Sequence, residues 1–442
     1  MTESLSDEDL VRLSDFVAGR MGLNFPPERW AEFRCGLEAA RIEFGFDDVA
    51  PCVRWMMSAP LDHKQIDVLA SCLTIGETYF FRQKDLFDIL EEKILPSLLC
   101  ARIGKEQRLR MWSVACCTGE EAYSLAILVR RLMPDLSHWN ITILASDINP
   151  RFLHKALAGE FREWSFRNAP DWLKSGYFTV TETGQYAIAP EIREMVTFFP
   201  LNLVEDTYPS LLNDTNAMDL ILCRNVLMYF VPGQTGNVIR KLALTLVEGG
   251  WLAVSPCETA CVAMPELVPA GIPGVTLFQK KGYVGQTPEA VPAEAPPPSP
   301  LPVAVLPVSG HEQARMAREL ANQGKLAEAL MCCDQALAAA PFDAVCHYLR
   351  ACILSEKGDV NEAVRSFLRS LSIDPDFVPA HFALGNVVRQ KRECEEACRH
   401  YGDALRILRR YGPDDIVPHS EGLTAGRLKT IIKSLMEVEI LP

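Results

Sequence analysis

No stretch of this chain reaches the roughly 18 apolar residues that a membrane-spanning helix needs. Nor does a basic, then apolar, leader open it, since Met1-Thr2-Glu3 begins an acidic polar segment. The expectation is a cytoplasmic protein with no membrane insertion. None of its 15 cysteines stands in a C-x-x-C spacing. Most lie in predicted helices and strands and read as buried, reduced thiols rather than a disulfide framework. The eight histidines are scattered without ligand spacing, so no metal site is expected. Positive charge is in deficit as well: the formal net charge of −13 argues against nucleic-acid binding, which draws its affinity from Lys and Arg on phosphates. The phosphate-cradling patterns G-x-G-x-x-G and G-x-x-x-x-G-K-[ST] are missing too.

What the chain has in quantity is apolar residues, 48% of 442, enough for more than one buried core. The most informative stretch runs from Trp112 to Leu125. Leu109 to Ala115 reads as an apolar strand that enters a tight turn and then at once a helix, where an α/β enzyme holds its cofactor. Gly119 permits close backbone approach, Thr118 is the expected N-cap, and Glu120 and Glu121 occupy the first helical turn. Two acids there disfavour a phosphate and suit a cationic, polyhydroxylated ligand, a description that S-adenosylmethionine meets. On this turn alone, stabilisation of a helix N-terminus accounts for them equally well.

Downstream strands shift that balance. Ile141 to Ser146 ends in Asp147, the position of the usual ribose ligand in a doubly wound fold. Asp219 to Cys223 ends in Arg224-Asn225, and Gly250 to Ser255 follows a helix over 234–246. Strands alternating with helices predict a parallel sheet whose carboxyl edge carries the site.

Five segments then occur in order: Thr78-Tyr79-Phe80-Phe81-Arg82; Ala115-Cys116-Cys117-Thr118-Gly119-Glu120-Glu121-Ala122-Tyr123-Ser124; Ala145-Ser146-Asp147-Ile148-Asn149; Asn202-Leu203; and Cys223-Arg224-Asn225-Val226-Leu227-Met228-Tyr229-Phe230. Together they resemble the CheR family of chemotaxis-receptor glutamate O-methyltransferases, over about 8–283. The resemblance implies a class I, Rossmann-like methyltransferase fold. It implies S-adenosylmethionine as donor, S-adenosylhomocysteine as product, and glutamates of a chemoreceptor cytoplasmic domain as acceptor. By the same similarity Thr78, Arg82, Glu120 or Glu121, Asp147, Asn202, Leu203, Arg224 and Asn225 line the cofactor. Two positions depart from the pattern: Gly76 stands where an Asn is frequent, and Pro256-Cys257-Glu258 replaces a His-Ser-Glu. A catalytically weak, cofactor-binding scaffold is the alternative that these departures keep open.

The chemistry itself asks little of the protein's acids and bases. A glutamate carboxylate, with an ordinary pKa of about 4.3, is already an anionic nucleophile at neutral pH and needs no general base. Alignment and water exclusion are what the enzyme must supply. Arg82 and Arg224 are the candidates to hold a carboxylate, because guanidinium presents paired donors. Tyr229 is the candidate contact on the acceptor side, or else a core aromatic of the run 226–231.

Composition divides the rest. Residues 1–85 read as a small helical domain with the stripe Leu10, Leu13, Phe16, Val17, and with Arg29, Arg34 and Arg41 placed to gather on one helix face. The methyltransferase domain is expected over 86–284, with an antiparallel β insert at about 160–203 containing strands at 177–180, 186–189 and 196–199. In some CheR proteins such an insert grips a receptor's C-terminal peptide; the short loops here point away from that. Residues 285–309 form a Pro/Ala-rich linker expected to be extended. Beyond it Ala329, Ala363 and Ala397, and Pro341 and Pro375, recur at the 34-residue tetratricopeptide period, predicting three repeats over 310–411 and a capping helix in 412–442. Asn322, Arg350, Asn386 and Arg389 are the groove candidates. The array is expected to bind an unidentified protein or peptide while standing apart from the enzyme.

Overall fold

The computed structural model describes residues 5–104, 106–281 and 310–440. The linker expected at 285–309 lies outside them. Among the described residues no helix is long and apolar enough to cross a membrane, and all 15 cysteines are free thiols.

The amino-terminal helices are Asp7–Met21, Trp30–Glu43, Val49–Ser58 and His63–Leu73. The first and last open with capping boxes, Ser6 with Asp9 and Asp62 with Gln65, each satisfying otherwise orphaned N–H groups. Their apolar stripes meet in one core around Leu10, Leu13, Phe33, Leu37 and Leu69.

Ten strands follow: β1 Arg108–Val114, β2 Asn140–Asp147, β3 Glu160–Phe161, β4 Phe178–Val180, β5 Tyr186–Ile188, β6 Val196–Pro200, β7 Met218–Cys223, β8 Leu246–Ala253, β9 Leu267–Pro269 and β10 Leu277–Lys280. Seven form one sheet in the order β6-β2-β1-β7-β8-β10-β9, parallel from β6 to β8 and antiparallel beyond. β1 and β7 are buried along their whole length, as strands covered on both faces must be. Chain order reverses between β1 and β7, and ligands of doubly wound sheets bind at such a switch point, outside the carboxyl ends of the strands.

Three sequence expectations change here. β6, grouped with the insert by its length, belongs to the main sheet, where it pairs in parallel with β2 from Val196 to Pro200. The antiparallel insert is only β3-β5-β4. Thr118 is not the N-cap of the helix Glu120–Leu132: Gly119 holds that place at φ 93°, with Ala156 and the Phe198 ring packed where a Cβ would go.

The tetratricopeptide array consists of the helix pairs Gly310–Asn322 with Leu326–Ala339, Ala344–Lys357 with Val360–Ile373, and Val378–Gln390 with Cys394–Leu408, closed by Ala425–Ile440. It does not stand apart. Its first-helix face packs against the amino-terminal ends of the strands, opposite the switch point. Leu211 and Leu212, on the segment between β6 and β7, join the array's own core with Ala317, Ala321 and Tyr348. Arg108 of β1 forms a buried ion pair with Glu356, whose other oxygen accepts from Asn216 Nδ2 at 2.8 Å. Arg427 donates to Asp206 at 2.7 Å, and His63 of the amino-terminal domain meets Thr424 at 3.1 Å.

Candidate active site

A cleft opens at the carboxyl edge between β1 and β7 and is roofed by the amino-terminal region through Met21, Leu23, Arg29 and Leu73. Of the residues singled out from sequence, Thr78, Arg82, Glu121, Asp147, Asn202, Leu203, Arg224, Asn225 and Tyr229 line it. Glu120 does not. It is buried beneath the turn, where it accepts the hydroxyls of Thr118 at 2.7 Å and Ser165 at 2.9 Å, and burial raises its pKa. Successive helical residues point about 100° apart, so only one of two adjacent acids can face the cleft.

The floor of the cleft is ionic. Glu121 accepts from Ser113 Oγ at 2.7 Å and from Arg224 Nη1 at 2.8 Å. Arg224 Nη2 donates to the Arg82 carbonyl at 2.8 Å and to Gln83 at 3.0 Å. Its buried Nε has no partner among the described residues. Arg224 is therefore spent on positioning Glu121 and the segment after Arg82, and is not free to clamp a carboxylate with paired donors. Arg82 is half-buried and uses one terminal nitrogen on the Glu77 carbonyl at 2.6 Å.

Asp147 closes the other side. One carboxylate oxygen accepts the Cys117 N–H at 2.8 Å and the other the Asn149 N–H at 2.9 Å, which leaves a lone pair on each for a further donor. Burial raises its pKa to about 6 against the lowering effect of those bonds. Cys117 and Ala115 adopt positive φ, 52° and 54°, folding the turn after β1 tightly enough to bring that N–H to Asp147. Apolar walls come from Ile148, Phe152, Leu201 and Leu203.

Asn202 lines the cleft, but its side chain is committed: Nδ2 donates to the Arg20 carbonyl at 2.8 Å and Oδ1 accepts the Val204 N–H at 3.0 Å. Gly76 has a steric explanation. A Cβ there would sit 2.6 Å from the Phe152 ring and 2.9 Å from Cys117 Sγ, so the ring fills the space a side chain at 76 would need.

Two features escaped the sequence reading. Arg29 stacks over Tyr229 at 5.2 Å and Phe25 at 4.9 Å while pairing with Glu32, so it belongs to the cleft rather than to a basic helix face. Arg34 and Arg41 donate to carbonyls within the helical domain. Glu258 is the second: fully buried, it accepts backbone N–H groups from Asn225 at 2.9 Å, Val226 at 2.7 Å and Ser255 at 3.0 Å, together with the Ser255 hydroxyl. The capping-box spacing Ser255-x-x-Glu258 was the available signal. Glu258 thereby fixes the segment that carries Asn225, Val226 and Tyr229.

This donor set fits S-adenosylmethionine. Paired acceptors on Asp147 suit ribose hydroxyls, the acids suit its positive groups, and the apolar walls suit a base.

Residues 76–265 match the CheR methyltransferase SAM binding domain, and 344–377 match a tetratricopeptide repeat. Chemotaxis protein methyltransferase 2 of Vibrio cholerae is 33% identical over 260 residues, spanning 58% of this chain and 86% of that protein. The chemotaxis protein methyltransferase of Borreliella burgdorferi is 28% identical over 258 residues, 58% of this chain and 89% of its own. The probable biofilm formation methyltransferase WspC of Pseudomonas aeruginosa is 27% identical over 398 residues, 80% of this chain and 91% of its own, a span too long to stop at the methyltransferase domain. The chain belongs to the CheR family of methyltransferases and carries a tetratricopeptide array on the carboxyl-terminal side of its catalytic domain.

Proposed function

We propose that the protein methylates glutamate side chains on the cytoplasmic domain of a chemoreceptor, with S-adenosylmethionine as donor, and that its repeats regulate this through a protein partner. The carrying observation is a cleft lined by the carboxylates Glu121 and Asp147 and by Arg29, Arg82 and Tyr229, with no histidine among its described lining residues. A reaction that had to remove a proton from its nucleophile would want such a base. A carboxylate acceptor does not.

The bound donor supplies an electrophilic methyl on a sulfonium. The protein's residues do the rest by placement. Asp147 and Glu121 hold the donor's polar groups, Arg82 offers its remaining N–H donors to the acceptor carboxylate, and the helical roof excludes water. One C–O bond forms, one C–S bond breaks, and no proton moves. In the test, radiolabelled methyl is supplied on S-adenosylmethionine to receptor cytoplasmic domains. Base-labile label on the receptor is expected. Tight donor binding with no transfer to any carboxylate would favour the scaffold alternative.

Asp147 gives this reading a pH signature. A ribose hydroxyl donates to the ionised carboxylate, and the free protein's Asp147 takes up a proton as pH falls through about 6. Donor affinity should therefore be level above about pH 7 and drop by up to about tenfold per unit below 6. Asp147→Asn should bind more weakly by roughly 1–3 kcal/mol at pH 7.5 and lose the pH dependence. Calorimetry at both pH values decides it; an unchanged profile in the variant removes Asp147 from the donor site.

The regulatory role of the repeats rests on a short relay. Asp206 accepts the backbone N–H of cleft-lining Asn202 at 2.7 Å and Arg427 of the last helix at 2.7 Å. A partner that shifts that helix would move the cleft wall through two hydrogen bonds.

A further inference from the structure

In the last helix pair of the array the structure brings together His381, His400 and Asp403, whose ligand atoms all lie within 4.8 Å of one another. His381 sits on Val378–Gln390, and the other two sit on Cys394–Leu408. Both imidazoles are buried, and their Nδ1 atoms face each other at 3.3 Å. Two nitrogens bound at about 2.05 Å to one tetrahedral ion stand about 3.3–3.4 Å apart, so the rings already have the separation such an ion imposes.

The outer nitrogens point the same way. His381 Nε2 lies 3.0 Å from the Pro375 carbonyl, so it carries the proton and leaves Nδ1 with its lone pair inward. If His400 were to donate its Nδ1 proton to that lone pair, its own Nε2 would be a buried acceptor, and none of the described residues donates to it. A charged group beside Nε2 is the Glu396 carboxylate, 3.9 Å away and holding Arg399 at 2.9 Å; its negative charge favours a proton on Nε2 and a lone pair on Nδ1. With both lone pairs turned inward, a cation fits between them, either a metal ion or a proton bridging the two rings. The backbone carbonyl behind His381 is an outer-sphere partner of the kind metal-bound histidine has, and an approach of about 1 Å by Glu396 would give His400 the other.

We propose that His381, His400 and Asp403 form a binding site for a divalent transition ion of the zinc class, pinning the two helices of the last pair to each other. Imidazole and carboxylate ligands suit Zn²⁺, and three protein ligands leave a fourth position for water. Asp403 also meets Arg406 at 3.2 Å, a half-exposed pair that must loosen for the carboxylate to turn inward. The preceding repeat provides an internal control. There His347 makes the same bond to the Pro341 carbonyl at 3.0 Å, but Ser366 and Arg369 stand one period before His400 and Asp403, so no ligand set forms.

The full-length protein, stripped with a chelator, should take up Co²⁺ with weak visible ligand-field bands of a nitrogen/oxygen tetrahedral site. These are separable from the near-ultraviolet charge-transfer bands that any cysteine-bound cobalt would add. Zn²⁺ should displace the visible bands. His400→Gln and His381→Gln should each lose one equivalent of bound ion together with those bands, Glu396→Gln should weaken binding about tenfold or more, and His347→Gln should bind as the unaltered protein does. Circular dichroism checks that each variant is folded. No visible band in the unaltered protein, or the same band in His400→Gln, overturns the site; the first result needs no variant to fold.

Discussion

Replacing Glu258 with alanine should destabilise the protein by at least about 3 kcal/mol and lower kcat/KM by roughly a hundredfold or more. The carboxylate is fully buried and accepts three backbone N–H groups at 2.7–3.0 Å, with the Met228 N–H at 3.2 Å besides. Each buried donor left without an acceptor costs about 1–3 kcal/mol. The segment these bonds hold carries Asn225, Val226 and Tyr229 into the cleft, and a misplacement of about 1 Å at a reacting site costs on the order of a hundredfold. Glu258 touches the loop and not the substrate, so it is a positioning residue. Glu258→Gln, which keeps one carbonyl oxygen, should recover part of both losses, and saturating donor should restore some of the rate. Thermal melts with steady-state kinetics on the two variants check this. Wild-type KM for the donor in Glu258→Ala would show that the loop holds its shape by other means.

The second large effect is expected far from the cleft. Glu356→Ala should weaken docking of the repeats on the sheet by about 3–5 kcal/mol, because it leaves the buried Arg108 guanidinium without its counter-charge. Asn216 Nδ2 loses its 2.8 Å partner in the same step. The expected result is separation of the array from the catalytic domain rather than global unfolding, since the array keeps its own core around Tyr348, Phe367 and Tyr401. X-ray scattering should show a larger radius of gyration, and cleavage within 282–309 should then release two folded pieces. An unchanged radius and melting profile would mean that the remaining contacts, Leu211 and Leu212 with the array core, Arg427 with Asp206 and His63 with Thr424, carry the interface without Glu356. The interface also bears on truncation. Removing 310–442 exposes Leu211 and Leu212 and strips Arg108 and Asp206 of Glu356 and Arg427. A fragment ending near 281 should therefore be less stable than the intact chain, even though its cleft residues are all present.

The cleft could be read from sequence because its residues come in short, contiguous runs at strand ends, which periodicity locates one strand at a time. Asp147 ends β2, Arg224-Asn225 follow β7, and the acids follow β1, so strand alternation alone placed them on one edge. Choosing between Glu120 and Glu121 was beyond it. That choice depends on helix phase relative to β7, where Arg224 waits for Glu121, and on Ser165 from the insert, which takes Glu120. The strand β6 is ambiguous in sequence for a related reason: its five residues match a small insert strand as well as a sheet edge, and only pairing with β2 distinguishes them.

Local pattern thus determined the element types, the repeat period of 34 and the place of Asp147, Arg224 and Asn225 at strand ends, all of which follow from interactions between near neighbours in the chain. Tertiary structure alone decided what depends on groups distant in sequence. It paired Arg108 with Glu356 across 248 positions, so that an array read as tethered is packed on the sheet. It set Arg29 over Tyr229 at 5.2 Å. It also turned two of the histidines that carry no ligand spacing, 19 positions apart on different helices, to face each other at 3.3 Å. Charge pairing and coordination act through space, and sequence spacing reports them only when one helix or one turn carries both partners.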